Sequence, residues 1–403
     1  MMKLNPNMKL AWVKLLVVGL WLPAVAQGQF TFTTNSGAIT IKGYSGLGGA
    51  VVIPGTTNGY PVTSIGDNAF YNCLSLTNIT FGTNVTNIGM NAFTECMGLT
   101  KFTIPNSVLS IGMYAFMSCQ KLTTLTIGTN VTSIGVDAFY NCLLLTNVII
   151  PNSVTNLGNS AFYDCEKLKN LTIGTNLTDI GFNIFGFCTS LTKVVIPNSV
   201  TSIESDAFYC CYSLTNVVIP NSVTFIGDDA FGSCSSLTNV TIPNNVTNLG
   251  MGAFQFCKMP QVIIPNSITN LESYAFQSCS NLTNVYFKGN APSLGTLVFG
   301  GDTNATIYYL PGTTGWSTNF GGLPTVLWNP QAQTGAGSGF GVRTNRFGFN
   351  ITGTANIHIV VEASTNMVNW QPVQTNTLAT GTAYFSDPKW TNYPTRYYRI
   401  RSP

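Results

Sequence analysis

Phenylalanine and cysteine return in this chain on a fixed beat. Phe70, Phe93, Phe116, Phe139, Phe162, Phe185, Phe208, Phe231, Phe254 and Phe276 are each followed three residues later by a cysteine, from Cys73 to Cys279. Alanine precedes every one of these phenylalanines except Phe185, which follows Ile184. Each step is 23 residues long, apart from a last step of 22. Ten units in register with a period in the twenties admit one architecture, a solenoid with one supersecondary coil per repeat.

A single unit, Val62 to Asn84, shows how a coil is built. Val62 and Ile65 point inward from a short extended piece, and Gly66 turns the chain. Ala69, Phe70 and Cys73 then fall at helical offsets, which predicts one or two helical turns. Leu76, Ile79 and Phe81 follow the spacing of a strand with one buried face. Roughly eight inward side chains per coil cannot be buried by that coil alone, so the neighbours on either side must close the core.

Units such as Leu237-Thr-Asn-Val-Thr-Ile-Pro-Asn-Asn-Val-Thr-Asn-Leu-Gly-Met-Gly-Ala-Phe-Gln-Phe-Cys257 resemble the leucine-rich repeats of the bacterial surface antigen, or BspA-like, type. The resemblance covers about residues 60–290. It implies a leucine-rich-repeat solenoid, with short parallel strands plus short helical turns per 23-residue coil, followed here by a small all-β sandwich. Asn84, Asn130, Asn176 and Asn245 match the asparagine expected after the strand, while Ser107, Ser153, Ser199, Ser222 and Ser267 depart from it. Pro260 falls where a strand should run, which predicts disturbed pairing there.

The repeat frames the rest of the chain. Residues 1–26 read as a cleavable secretory signal peptide. Lys3, Lys9 and Lys14 precede the apolar run Leu15 to Leu22, and Ala24-Val25-Ala26 makes a small-x-small cleavage site. The apolar run is shorter than the roughly 20 residues a spanning helix needs, so the expected mature chain is exported and has no transmembrane helix. Residues 27–61 are expected to form a β N-cap and residues 62–289 the solenoid of about ten units. Residues 290–329 are expected to hold a degenerate repeat and C-cap. Gly and Gln enrichment marks 330–339 as a linker, and alternating runs such as Ile357 to Glu362 mark 340–403 as a β-sandwich module.

Composition removes several function classes. Only 8% of residues are charged, against about a quarter in an average protein. No basic run is present to neutralise a phosphate backbone, which argues against nucleic acid as a partner. A single histidine, His358, leaves little room for histidine acid–base chemistry or a multi-histidine metal site. No cofactor and no catalytic constellation is expected. Glu204 with Asp206, and Asp228 with Asp229, read as solvated surface, and His358, Ser364 and Asp387 lack the spacing of a nucleophile elbow. The cysteines invite a disulfide framework in an exported chain. However, one thiol per coil at an inward position suits a small apolar filler. Cys210, outside the column, is the best candidate for an exposed reactive thiol.

The outward strand positions recur as pairs: Thr77 and Asn78, Thr100 and Lys101, Thr123 and Thr124, Thr146 and Asn147, Lys169 and Asn170, Thr192 and Lys193, Thr215 and Asn216, Thr238 and Asn239. Stacked, they build Thr and Asn columns that either stabilise the strands as side-chain ladders or present hydrogen-bonding groups to a ligand. The BspA-like resemblance implies a secreted or cell-surface, non-enzymatic binding or adhesion scaffold for an extracellular protein or polysaccharide. A structural envelope or matrix spacer, with the C-terminal module as anchor or sorting domain, is the alternative.

Overall fold

The computed structural model describes residues 29–401 except 336 and 338, so the expected signal peptide lies outside the described residues. The chain winds into a β-solenoid of about 12 turns, followed by an all-β segment. Each coil has two strand sides and one ridge of turns. The wider strand side carries segments such as Lys101–Thr103, Thr124–Thr126 and Lys193–Val195. The narrower side carries two-residue strands such as Asn87–Ile88, Ser110–Ile111 and Ser133–Ile134. Neighbouring coils pair in parallel and in the same phase: Leu125 faces Phe102, Ile134 faces Ile111, and Val217 faces Val194.

The eight inward positions of one coil, Val85, Ile88, Ala92, Phe93, Cys96, Leu99, Phe102 and Ile104, are all buried. From Phe70 to Phe299 the repeat phenylalanines form one column, with ring centroids 5.0–5.9 Å apart and interplanar angles of 4–18°. These distances are close to the strand spacing of about 4.8 Å, as expected of rings carried at the same position of successive coils, and lie in the range where near-parallel aromatic pairs attract. The widest gap, 5.9 Å between Phe162 and Phe185, falls where Ile184 replaces alanine. The next, 5.8 Å between Phe254 and Phe276, falls at the 22-residue step.

The segment expected to be helical is a ribbon of turns. Asn68 and Asn72 have φ of +59° and +56°, and corresponding pairs recur in the following coils, as at Asn91 with Glu95 and Tyr114 with Ser118. Alternate N–H groups close turns within the coil: Ala69 donates to Gly66 and Cys73 to Phe70. The others run along the solenoid axis, with Asn68 donating to Met90 at 2.9 Å and Phe70 to Ala92 at 2.8 Å. A helix would satisfy these donors internally. The left-handed residues turn them toward the next coil, so the ridge also joins the stack.

Both ends of the array carry packed aromatic residues. The hairpin Phe30–Asn35 and Ala38–Tyr44 extends the narrow side and lays Tyr44 against Phe70 at 5.1 Å. At the other end, Trp316 packs on Tyr309 and Phe287, and Phe320 on Phe287. The wider side pairs in short stretches, Lys101–Thr103 with Thr124–Thr126, Asn147–Ile149 with Asn170–Thr172 and Lys193–Val195 with Asn216–Val218. The coil before Pro260 adds one isolated bridge, Asn216 to Asn239, and Gln261–Ile264 pairs onward with Asn284–Phe287.

The C-terminal strands form two antiparallel sheets. One joins Gln331–Gln333, Gly341–Arg343, Arg346–Thr352 and Thr382–Asp387; the other joins Ile357–Ser364, Gln371–Leu378 and Tyr397–Arg401. Within the segment 330–339, expected to be a linker, Gln331–Gln333 is an edge strand paired with Asn350–Thr352. Its backbone groups complete a sheet, which composition alone does not reveal.

Candidate functional site

The wider strand side is a regular surface whose side chains stand in columns. Asn78, Lys101, Thr124, Asn147, Asn170, Lys193, Asn216 and Asn239 occupy equivalent outward positions, in register where paired. Asn216 is half-buried and the others are exposed. Thr77, Thr100, Thr123, Thr146, Lys169, Thr192, Thr215 and Thr238 sit one residue earlier, at the strand entry; Thr123 and Thr192 are half-buried.

Several of the entry threonines are already engaged. The hydroxyl of Thr123 donates to the carbonyl of Thr100 at 3.0 Å, that of Thr146 to Thr123 at 3.2 Å, and that of Thr215 to Thr192 at 3.1 Å. This column ties coils together, as a side-chain ladder does. Asparagine amides also pair along the stack, Asn170 donating to Asn147.

A further outward column was missed in the Thr–Asn pairing. Thr80, Thr103, Thr126, Ile149, Thr172, Val195, Val218 and Thr241 lie two residues beyond the Asn/Lys column. Ile149, Val195 and Val218 are 66%, 55% and 48% exposed. Strict alternation along a strand puts them on the same face as the Asn/Lys column, and that alternation was the available signal. The eye-catching dipeptide hid it.

This column continues under the C-terminal module. Ile263, Tyr286, Tyr308 and Val326 follow it in register. They pack with Phe349, Ile357, Ile359, Val361, Leu378 and Phe385 in one apolar cluster. The module is seated on the last coils of the strand face.

The chemistry-bearing residues are occupied structurally. All 11 cysteines are free, and ten are buried. From Cys96 onward each column thiol donates to the phenylalanine carbonyl of the preceding coil, for example Cys96 to Phe70 at 3.2 Å and Cys234 to Phe208 at 3.3 Å. Burial pushes the Cys119 thiol up to about 12 and the Cys142 and Cys165 thiols well above their usual range. Cys210 is corrected from exposed to buried, at 4% exposure, while Cys73 is the half-exposed thiol. Asp387 binds Arg396 and Tyr398, the His358 Nδ1 lies 2.8 Å from the Thr377 hydroxyl, and Ser364 pairs with Asn366. His358, Ser364 and Asp387 therefore each face other partners. Among the described residues no cluster of His, Cys, Asp and Glu could hold a metal ion, and no helix is long and apolar enough to cross a membrane.

The model of the BspA type leucine rich repeat region (6 copies) matches residues 56–165, 86–215 and 201–315. The chain belongs to the BspA-type leucine-rich repeat family. A leucine-rich repeat protein from Bacteroides ovatus is 27% identical over 70% of each chain, with a TM-score of 0.57. The leucine-rich repeat protein of T. pallidum is 29% identical over 47% of this chain and 90% of its own, with a TM-score of 0.45. A leucine rich cell surface protein of Faecalibacterium prausnitzii is 27% identical over 66% of this chain and 94% of its own, with a TM-score of 0.39. No curated protein matches.

Proposed function

We propose that this BspA-type protein is an exported, cell-surface, non-catalytic scaffold that holds an extracellular protein on its wider strand face. The observation that carries this reading is the outward column Ile149, Val195 and Val218, exposed in mid-array. The same column is buried under a β module at its far end. A row of β-branched side chains beside a row of amides and lysines offers apolar area with hydrogen bonds at its margin, the composition of a protein-binding patch. Polysaccharide, the other partner class expected from the sequence, has less use for an apolar row.

The test is an array of extracellular matrix proteins and glycans probed with the mature chain and with an Ile149→Asp, Val195→Asp, Val218→Asp variant. Binding to a protein feature, lost in a variant of unchanged melting temperature, is expected. Equal binding by the variant, or glycan binding alone through this face, would refute the reading.

A second reading, a structural envelope spacer, draws on the threonine ladder, whose hydroxyls bond neighbouring coils and leave less for a ligand. It predicts that the mature chain fractionates with the envelope while the array stays blank.

A further inference from the structure

Charge in this chain is divided unevenly. Residues 340–401 hold six basic side chains, Arg343, Arg346, Lys389, Arg396, Arg399 and Arg401, against two acidic ones, Glu362 and Asp387, a surplus of four. Residues 29–339 hold eight lysines and no arginine against twelve Asp or Glu, a deficit of four. The near-neutral whole-chain sum conceals a basic module on an acidic solenoid. A basic surface attracts anionic partners over roughly a Debye length.

The module also has a cleft of about 590 Å³ between its 363–373 and 387–396 segments. Asp387 and Arg396 both line it. Asp387 is 5% exposed and accepts from the Lys389 backbone N–H at 2.8 Å and the Tyr398 hydroxyl at 2.9 Å. Arg396 Nε lies 2.6 Å from Asp387 Oδ2, a charge contact off the hydrogen-bond axis. Its guanidinium carbon sits 4.1 Å from the centre of the Tyr393 ring. Held by a buried carboxylate and an aromatic face, the guanidinium is oriented before any ligand arrives, and a fixed planar fork suits a carboxylate. Lys389, exposed in the same lining, makes the cleft cationic by one charge over Asp387.

The remaining lining selects the body that carries the anion. Asn369 and Gln371 offer exposed side-chain amides, while Pro372, Val373 and Tyr393 supply an apolar flank. Amides beside an apolar flank match a sugar ring, whose rim is hydroxylated and whose faces are C–H. The geometry points to the C-terminal module as a receptor for an acidic, uronate-containing polysaccharide, with Arg396 and Lys389 binding the carboxylate and Asn369 and Gln371 the hydroxyls. This assignment is independent of the strand-face reading, because the cleft lies wholly within the module.

The probe is tetragalacturonate, titrated calorimetrically into the full mature chain. Saturable binding that weakens with salt is expected. Lys389→Gln and Arg396→Lys, the latter keeping the charge against Asp387 while losing the planar fork, should each weaken it about tenfold. Lys121→Gln, which removes an exposed charge on the solenoid, should leave it unchanged. Neutral cellotetraose and a tetra-aspartate peptide should bind at least about tenfold more weakly. Lys389 is exposed, so its variant remains informative even if Arg396→Lys fails to fold. No tetragalacturonate binding by folded protein, wild-type affinity in Lys389→Gln, or equal binding of the acidic peptide would each overturn the proposal.

Discussion

Trp328 donates its indole N–H to the main-chain carbonyl of His358 at 2.7 Å. The same tryptophan donates its backbone N–H to Tyr309, in the last regular coil. One residue therefore bonds to the solenoid on one side and the module on the other, and its ring is buried in their shared cluster. Trp328→Ala should cost about 3–5 kcal/mol of stability at this junction. Calorimetry should show one unfolding transition in the native protein and two in the variant, whereas an unsplit, unshifted transition in the variant would show that the junction is not energetically coupled.

Phe139 sits in mid-column, 5.0 Å from Phe116 and 5.1 Å from Phe162. Phe139→Ala should destabilise by about 3–5 kcal/mol. Because coils interact only with neighbours, hydrogen exchange should quicken most between residues 110 and 170. An unchanged melting temperature would contradict the column as core.

Thiol titration of the native protein should detect Cys73 first, since it is half-exposed while the other ten are buried. Burial raises the pKa of the column thiols, to about 12 at Cys119, so few thiolates exist at neutral pH. Full reactivity should appear only in denaturant. Mass mapping that recovers pairs within the column would count against the free-thiol assignment.

Asp302 falls 23 residues after Cys279, in the cysteine column, and is 3% exposed. Neither carboxyl oxygen has a hydrogen-bond partner among the described residues, and burial raises its pKa to about 7. The folded state thus holds a proton that the unfolded chain, with a pKa of about 3.9, releases earlier. Its contribution to stability is fully present below about pH 4 and is lost as pH rises through about 7. Asp302→Asn should flatten that decline between pH 4 and 7, measured by denaturant unfolding. A parallel decline in both proteins would assign it to other groups.

The sequence alone determined the architecture of the array. A phenylalanine every 23 residues in ten units can be buried only by stacking, because no coil has enough apolar surface to close by itself, and the eight inward positions of the Val85–Ile104 coil follow from that requirement. What it could not determine was where each hydrogen-bond donor points. Ala69, Phe70 and Cys73 have the spacing of a helix, yet the left-handed backbone at Asn68 and Asn72 sends the N–H groups of Asn68, Phe70 and Asn72 to the next coil, a choice that exists only once that coil is in place. The same holds for Gln331–Gln333, which becomes a strand because Asn350–Thr352 lies beside it. It holds again for Tyr286 and Tyr308, outward residues by their strand alternation that are buried because the C-terminal sheets close over them. Local pattern selects which side chains must leave water; the tertiary structure decides which surface they meet.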